Sequence, residues 1–324
     1  MSICKIGVLG VGSMGFNHVR ILASEPTMFQ LVGLYDPDCA RAEKVAAQFG
    51  VKAFTSAQAL MSEVEAVVIA VPSSMHGEVA AQTAANGLHT LVEKPLALTP
   101  EDGHKIAAAF ESAGCALAVG HVERFNPVVQ ELIKLLRHEH ILALEVRRYS
   151  PFNGRITDAD VVQDMMIHDI DLVCNVLMPN QNAVLRTAAG FCHCSGRLDY
   201  TQALLSFQTG AIATLGASRV TQNKVREILV HTDTSYIAAD LLNRSLTVTQ
   251  NTNFVVYEGQ ANAYRQDSVT QRVFVPMQEP LREELCAFYR LMNGKEERIA
   301  QAADANRALE LCAQIIQKAS QQEA

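Results

Sequence analysis

The chain has no apolar run approaching the roughly 18 residues needed to cross a bilayer, so no membrane-spanning helix is expected. It has no block of Lys and Arg either. With a formal net charge of −7, the clustered cations that phosphate contacts require are missing, and nucleic acid is not an expected partner. The eight cysteines never fall into the spaced pairs of a zinc site, and those in apolar surroundings, such as Cys115 and Cys174, read as buried free thiols. The tightest group, Cys192, His193 and Cys194 in "FCHCSG", alternates as a strand does, which puts His193 on the face opposite both thiols. The opening "MSICKIGVLGVG" lacks the basic region and cleavage site of a signal peptide, so a cytoplasmic location is expected. No internal repeat and no low-complexity linker is visible. What is present is a globular composition, 49% hydrophobic and 19% charged, over 324 residues. At about 100–200 residues per domain, that length suggests two domains.

The first half reads as a nucleotide cradle. A short apolar strand, Lys5 to Leu9, runs into "GVGSMG", with Gly10, Gly12 and Gly15 in the G-x-G-x-x-G spacing. A helix from about Ser13 follows, and a second strand, "FQLVGLYD", ends at Asp36. Glycines of this kind can also make a plain strand-to-helix turn without a ligand; the full strand–loop–helix–Asp order is what points to a dinucleotide. Gly10 allows the tight turn, Gly12 lets backbone approach a pyrophosphate, and Gly15 lets helix and strand pack closely. The loop and helix start, Gly12 with Ser13 and Met14, then offer N–H groups to the phosphates. Asp36 would accept hydrogen bonds from the adenosine ribose and repel a 2′-phosphate, which favours NAD over NADP.

Strand–helix alternation continues. Residues 37–49 form a helix ended by Gly50, 65–71 a buried strand, 74–86 a helix closed by Gly87, "LHTLV" a strand, and "CALAVG" a last strand reaching Gly120. Thr99 caps a further helix, with Pro100 at its first position. Such alternation means a parallel sheet with helices on both faces and ligands at the carboxyl ends of the strands. Two loops sit at such ends: "VPSSMH", with Val71, Pro72, Ser73 and His76, and "EKP", with Glu93, Lys94 and Pro95. His76 could equally cap the helix that begins near Ser74.

Past the helical "NPVVQELIKLLRHEH", strand-like runs crowd together at "ILALEVRRYS", "YTQALLSFQ", "AIATLGASRV", "VREILVHT", "SYIAADLL", "SLTVTQ" and "NFVVYE". Adjacent short strands with few helices between them mean an antiparallel sheet. Residues 279–319 read as two amphipathic helices split by "NGKEE". Before the sheet's later strands lies "DMMIHDID", where Asp164, His168 and Asp171 fall on one side of an apolar helix. Three readings compete there: polar groups satisfied in a core, a metal site, or an acid–base pair. Asp164 and His168 have no local third ligand beyond Asp171, so no metal is expected.

Taken in order, "GVGSMG", Asp36, "VPSSMH", "EKP" and the later Asp-x-x-x-His resemble the glucose–fructose oxidoreductase / inositol dehydrogenase family over nearly the whole chain. The resemblance implies a Rossmann domain, placed at 1–120, followed at 121–324 by a domain with a large, mostly antiparallel open sheet. It also implies an NAD(P)-dependent dehydrogenase that forms homodimers or homotetramers through that sheet. The family often has Gly two residues after the Asp, where this chain has Met166. "GHVERFNP" combined with "DMMIHDID" is similar to a branch that oxidises the C3 hydroxyl of UDP-N-acetylglucosamine to a ketone. Other branches act on inositol, free sugars or keto acids, and non-catalytic relatives that bind the dinucleotide typically lose the lysine or histidine.

On that resemblance, Lys94 beside the nicotinamide would hydrogen-bond the substrate oxygen as charge grows there. His168, with an ordinary imidazole pKa of about 6.5, is the candidate general base, and Asp164 would orient it. Burial and the cofactor's charge make Lys94 an alternative proton acceptor. Glu93 would hold Lys94 or the nicotinamide ribose. Arg124 and Asn126 are further candidates for substrate contact. Arg147, Arg148 and Arg155 could bind a sugar-nucleotide diphosphate. Arg155 is the best placed of these three, because alternation in "ALEVRRYS" also reads as a solvated strand face.

Overall fold

A computed structural model describes residues 3–152, 159–256, 264–295 and 298–321. Two compact units divide the chain: 1–125 with 279–313, and 126–278 with 314–324.

In the first unit the chain alternates as expected. It runs β1 (Cys4–Leu9), α1 (Ser13–Ser24), β2 (Phe29–Tyr35), α2 (Cys39–Phe49), β3 (Lys52–Ala53), α3 (Ala57–Met61), β4 (Ala66–Ile69), α4 (His76–Ala85), β5 (His89–Glu93), α5 (Pro100–Ala113) and β6 (Leu117–Gly120). The ends of these helices follow their sequence. Thr99 accepts the Asp102 N–H at the start of α5, Pro100 takes the first helical position, and Gly114 closes it with φ of 65°. Strands β3, β2, β1, β4, β5 and β6 lie in that order, all parallel. This is the doubly wound order that leaves a crevice at the carboxyl ends of the strands.

The second unit carries α6 (Pro127–Leu136), β7 (Ile141–Tyr149), α7 (Ile167–Asp171), β8 (Val184–Cys192), β9 (Leu198–Ser206), β10 (Ile212–Ser218), β11 (Val225–Thr232), β12 (Ser235–Asp240), β13 (Ser245–Val256) and β14 (Tyr264–Arg272). Its described strands form one sheet in the order β14-β13-β12-β11-β7-β10-β9-β8. Only β7 and β10 pair in parallel, so the sheet is mostly antiparallel. Alternation separates its faces. Leu144, Val146, Leu215, Ile228, Val230 and Ile237 are buried on one face, while Val184, Phe191, Ile212 and Tyr236 stand exposed on the other. The runs "SLTVTQ" and "NFVVYE" join into the single strand β13, and β8 and β14 extend both edges.

The closing helices, α8 (Pro280–Met292) and α9 (Ala302–Ser320), follow, with β15 (Ala300–Gln301) between them. The first unit thus reaches beyond the 1–120 span expected from the sequence. Leu281, Leu285, Ala287 and Phe288 of α8 join Ile6, Val8, Val19 and Leu22 in one core, with Phe29 edge-on to Tyr289. β15 adds an antiparallel edge to β6. Each such buried large side chain stabilises by about 1.5–3 kcal/mol, so the return of 279–313 is driven by apolar burial. Among the described residues, no helix is long and apolar enough to cross a membrane.

Candidate functional site

The loop after β1 is shaped by three glycines with different physical demands. Gly10 has φ of +85°, in the left-handed region, and a Cβ there would lie 2.7 Å from the Ala70 carbonyl oxygen. A Cβ on Gly15 would lie 1.9 Å from the Gly10 oxygen, so α1 can lie against this loop only without a side chain at that position. At Gly12 a Cβ would meet nothing within 4 Å among the described residues, whose packing does not require glycine there. The start of α1 has no side-chain cap and no acidic residue in its first turn. Uncapped N–H donors, open space and a positive helix end together fit a pyrophosphate. Ser13 and Met14 stand exposed beside them.

Asp36, buried just past the end of β2, accepts the Val11 N–H at 2.8 Å and the Asp38 N–H at 2.9 Å. An ionised carboxylate has about four acceptor sites, which leaves capacity for ribose hydroxyls. Arg41, absent from the sequence expectations, lies 3.5 Å from both Asp36 oxygens and 3.0 Å from Asp38.

At the end of β5, Leu91 to Ala97 is buried throughout except at Lys94. The Lys94–Pro95 peptide is cis. Both neighbours of Lys94 are anchored. Glu93 is paired with the fully buried His18 of α1, Nε2 to Oε1 at 2.7 Å. The Pro95 carbonyl lies 2.7 Å from His76 Nδ1, and His76 Nε2 lies 3.1 Å from the Val71 carbonyl. His76 is therefore buried between a carbonyl oxygen of the "VPSSMH" loop and one of the "EKP" loop, and its side chain does not cap α4. Burial pushes its pKa down, with the Lys94 charge acting the same way, against the two carbonyl hydrogen bonds. Val71 and Ser73 are half-buried and Pro72 is exposed.

The "DMMIHDID" stretch is helical, as its pattern requires, but unevenly wound. Residues 162–166 and 172–177 are π-helical, with α7 between them. Asp160 starts this segment, accepting the Val162 and Gln163 N–H groups at 2.9 Å each. Burial pushes the Asp160 carboxyl up despite those bonds. Asp164 and His168 are both half-buried. Asp171, expected on the same side, is buried and accepts the Asn175 amide at 2.8 Å. Asp169 is also buried, and the Arg148 guanidinium grips it from β7, with Nε at 2.9 Å and Nη2 at 2.7 Å. That pair fixes the helix onto the inner face of the sheet one residue beyond His168.

The remaining arginines divide. Arg147, on the outer face, pairs with Glu227 at 2.9 Å. Arg124 is buried, with Nη1 3.2 Å from the Arg298 carbonyl and 3.0 Å from Asp304. Asn126 accepts the Val128 N–H and caps α6. Arg155 lies outside the described residues. Among the described residues, no group of three or more His, Cys, Asp and Glu side chains is placed to hold a metal ion.

Sequence reasoning missed His18, Arg41, Asp160 and Asp169. Asp160 had a local signal, an Asp immediately before an apolar helical run, and Arg41 had another, its i,i+3 spacing from Asp38. Arg41 lies only three and five residues from Asp38 and Asp36, whereas His18 and Asp169 depend on partners brought together by folding.

Residues 4–121 match the model of an oxidoreductase family with an NAD-binding Rossmann fold, the GFO_IDH_MocA family. The chain is 34% identical over 247 residues to UDP-N-acetylglucosamine 3-dehydrogenase of Acidithiobacillus ferrooxidans, covering 75% of this chain and 76% of that one. It belongs to this family. The solved structure of that enzyme matches with a TM-score of 0.86 at 29% identity over 99% of both chains. A scyllo-inositol 2-dehydrogenase (NAD(+)) of Bacillus subtilis is 26% identical, over 75% of this chain and 76% of that one. This family member is a dehydrogenase acting on CH–OH groups, with NAD as its cofactor.

Proposed function

We propose that this protein oxidises a ring hydroxyl of a sugar nucleotide, at C3 of UDP-N-acetylglucosamine. The observation that carries the reading is the 34% identity, over three quarters of both chains, to an enzyme named for that reaction. Support comes from retention of Lys94, Asp164 and His168, each half-buried and not sealed in a core.

Bound NAD supplies the hydride acceptor. Gly12 and the uncapped start of α1 hold the pyrophosphate, and Asp36 holds the adenosine ribose. Lys94 donates a hydrogen bond to the substrate oxygen and stabilises charge developing there. His168, as neutral imidazole, takes the hydroxyl proton, and Asp164 one turn earlier orients the ring. Arg148 and Asp169 keep the helix that carries His168 in place. The likeness to an inositol dehydrogenase favours a second reading, in which a cyclic polyol is the substrate of the same groups.

We assign the exposed sheet face, with Phe191 stacked on Tyr200 at 5.1 Å, to association with a second copy. Phe191→Glu with Ile212→Glu should then shift the mass measured by light scattering to that of a monomer, and an unchanged mass refutes the assignment.

The test of function is NADH absorbance on adding UDP-N-acetylglucosamine and NAD. Turnover with that substrate and competitive inhibition by uridine diphosphate support the first reading. Turnover of an inositol, unaffected by uridine diphosphate, supports the second.

A further inference from the structure

Buried titratable groups that a mechanism does not use need a physical reason, and His18 is such a group. It lies in the second turn of α1 and has no solvent exposure. Its Nε2 is 2.7 Å from Glu93 Oε1, while its Nδ1 is buried with no hydrogen-bond partner among the described residues. A proton on Nδ1 would be an unpaired donor in the interior, which is costly. Nε2 is therefore the nitrogen that donates its proton to the Glu93 carboxylate.

Glu93 is confined on its other side as well. A Cβ on Gly120 would lie 3.1 Å from Glu93 Oε2, so the carboxylate rests against bare backbone at the end of β6. The groups acting on its charge are His18 from α1, Lys94 from its own loop and His76 from α4. Burial alone pushes the Glu93 carboxyl up. The His18 hydrogen bond and the neighbouring charges outweigh it and hold the group below its usual range.

We propose that His18 is a positioning residue for Lys94: it fixes the Glu93 carboxylate, as an anion, immediately before the lysine. His76 fixes Pro95 immediately after it, so the backbone carrying the ammonium is pinned on both sides. The helix that meets the pyrophosphate and the loop that meets the substrate oxygen are thereby joined through one hydrogen bond. This proposal rests on the reading of Lys94 as the group that touches substrate.

The test has an arm without cofactor or substrate. Carbon-13 NMR of the glutamate side-chain carboxyls, with Glu93→Gln used for assignment, follows Glu93 in the cofactor-free protein. Wild type and His18→Gln, whose amide can replace Nε2–H, should keep the Glu93 titration below the ordinary glutamate range. In His18→Leu its titration should move upward; an unmoved titration overturns the proposal. In turnover, His18→Leu should lose at least about tenfold in kcat with the KM for NAD within about threefold, and its acid limb should move to higher pH. His18→Gln should recover most of that loss. A His18→Leu enzyme with lower thermal stability but unchanged kcat and pH profile overturns the proposal. If His18→Leu fails to fold, Glu93→Gln, which removes the same anion, should lose at least about tenfold in kcat with the KM for NAD within about threefold; a Glu93→Gln protein with wild-type kcat overturns the proposal. An inactive wild type would sink the sugar-dehydrogenase reading, and the NMR titration would then decide the His18–Glu93 link by itself.

Discussion

Gly12 and Gly15 differ by three positions and by opposite demands, and alanine at each separates binding from folding. At Gly15 the added Cβ would stand 1.9 Å from the Gly10 carbonyl oxygen, whereas ordinary contact begins at 3.4 Å. Backbone must therefore move by about 1.5 Å, because no flexible side chain is there to yield. Overpacking of this kind costs about 1–3 kcal/mol, which for a unit of this size lowers the midpoint of thermal unfolding by roughly 2–12 °C. The displaced α1 also carries its N–H donors away from the phosphates. At Gly12 nothing among the described residues lies within 4 Å of the added carbon, so unfolding should shift by no more than about 2 °C. The methyl would instead occupy the space that the pyrophosphate needs, and NAD affinity should fall at least about tenfold, or about 1.4 kcal/mol. Differential scanning calorimetry and NADH fluorescence titration on the two variants measure both quantities. A Gly12→Ala protein with wild-type affinity would refute the cradle. A Gly15→Ala protein as stable as wild type would refute the close packing of α1.

Other residues carry their own tests. Arg148→Met removes the guanidinium that grips the buried Asp169 carboxylate and should destabilise by about 3–5 kcal/mol in urea unfolding, while Arg148→Met with Asp169→Leu should recover most of the loss; equal instability of both variants would contradict a buried pair. Asp199 is buried, and although burial pushes its carboxyl up, bonds from Ser195, His193, Cys194 and Arg219 hold it well below the usual range. Its contribution is full above the unfolded value of about 3.9 and is lost as pH falls towards the lower folded value, so Asp199→Asn should flatten the acid side of the stability curve. Asp36→Ser frees Arg41 from its carboxylate and should narrow the preference for NAD over NADP by at least about tenfold in kcat/KM ratios; an unchanged ratio would show that Asp36 does not face the ribose.

How much of this was legible in the sequence follows from the range of the interactions. The alternation from β1 to β6 and the cap at Thr99 are local or nearly so, and periodicity with turn residues shows them directly. The cradle likewise reads from Gly10, Gly12, Gly15 and Asp36, because the spacing itself encodes strand, turn and helix. The return of α8 into the first core does not read this way, since an amphipathic helix shows that it packs but not against what. Leu285 and Phe288 meet Ile6 and Val19 across more than 260 residues of chain. "ALEVRRYS" presents two adjacent arginines with nothing to tell their fates apart, yet strand alternation sends Arg147 outward to Glu227 and Arg148 inward to Asp169. The π-helical winding around His168 has no counterpart in the apolar period, and His18 sits in α1 as an ordinary helical residue until β5 brings Glu93 to it.

The central claim is that a ring C–H hydride leaves a sugar nucleotide for NAD while residues of this chain handle the proton and the oxygen. UDP-N-acetylglucosamine carrying deuterium at C3, incubated with the protein and NAD, measures this most directly by mass spectrometry of the recovered reduced cofactor. The account predicts one deuterium per reduced nicotinamide, formed more slowly than with unlabelled sugar, and none from Lys94→Ala protein that still binds NAD. Reduced cofactor without the label, or label transfer undiminished in Lys94→Ala, would contradict it.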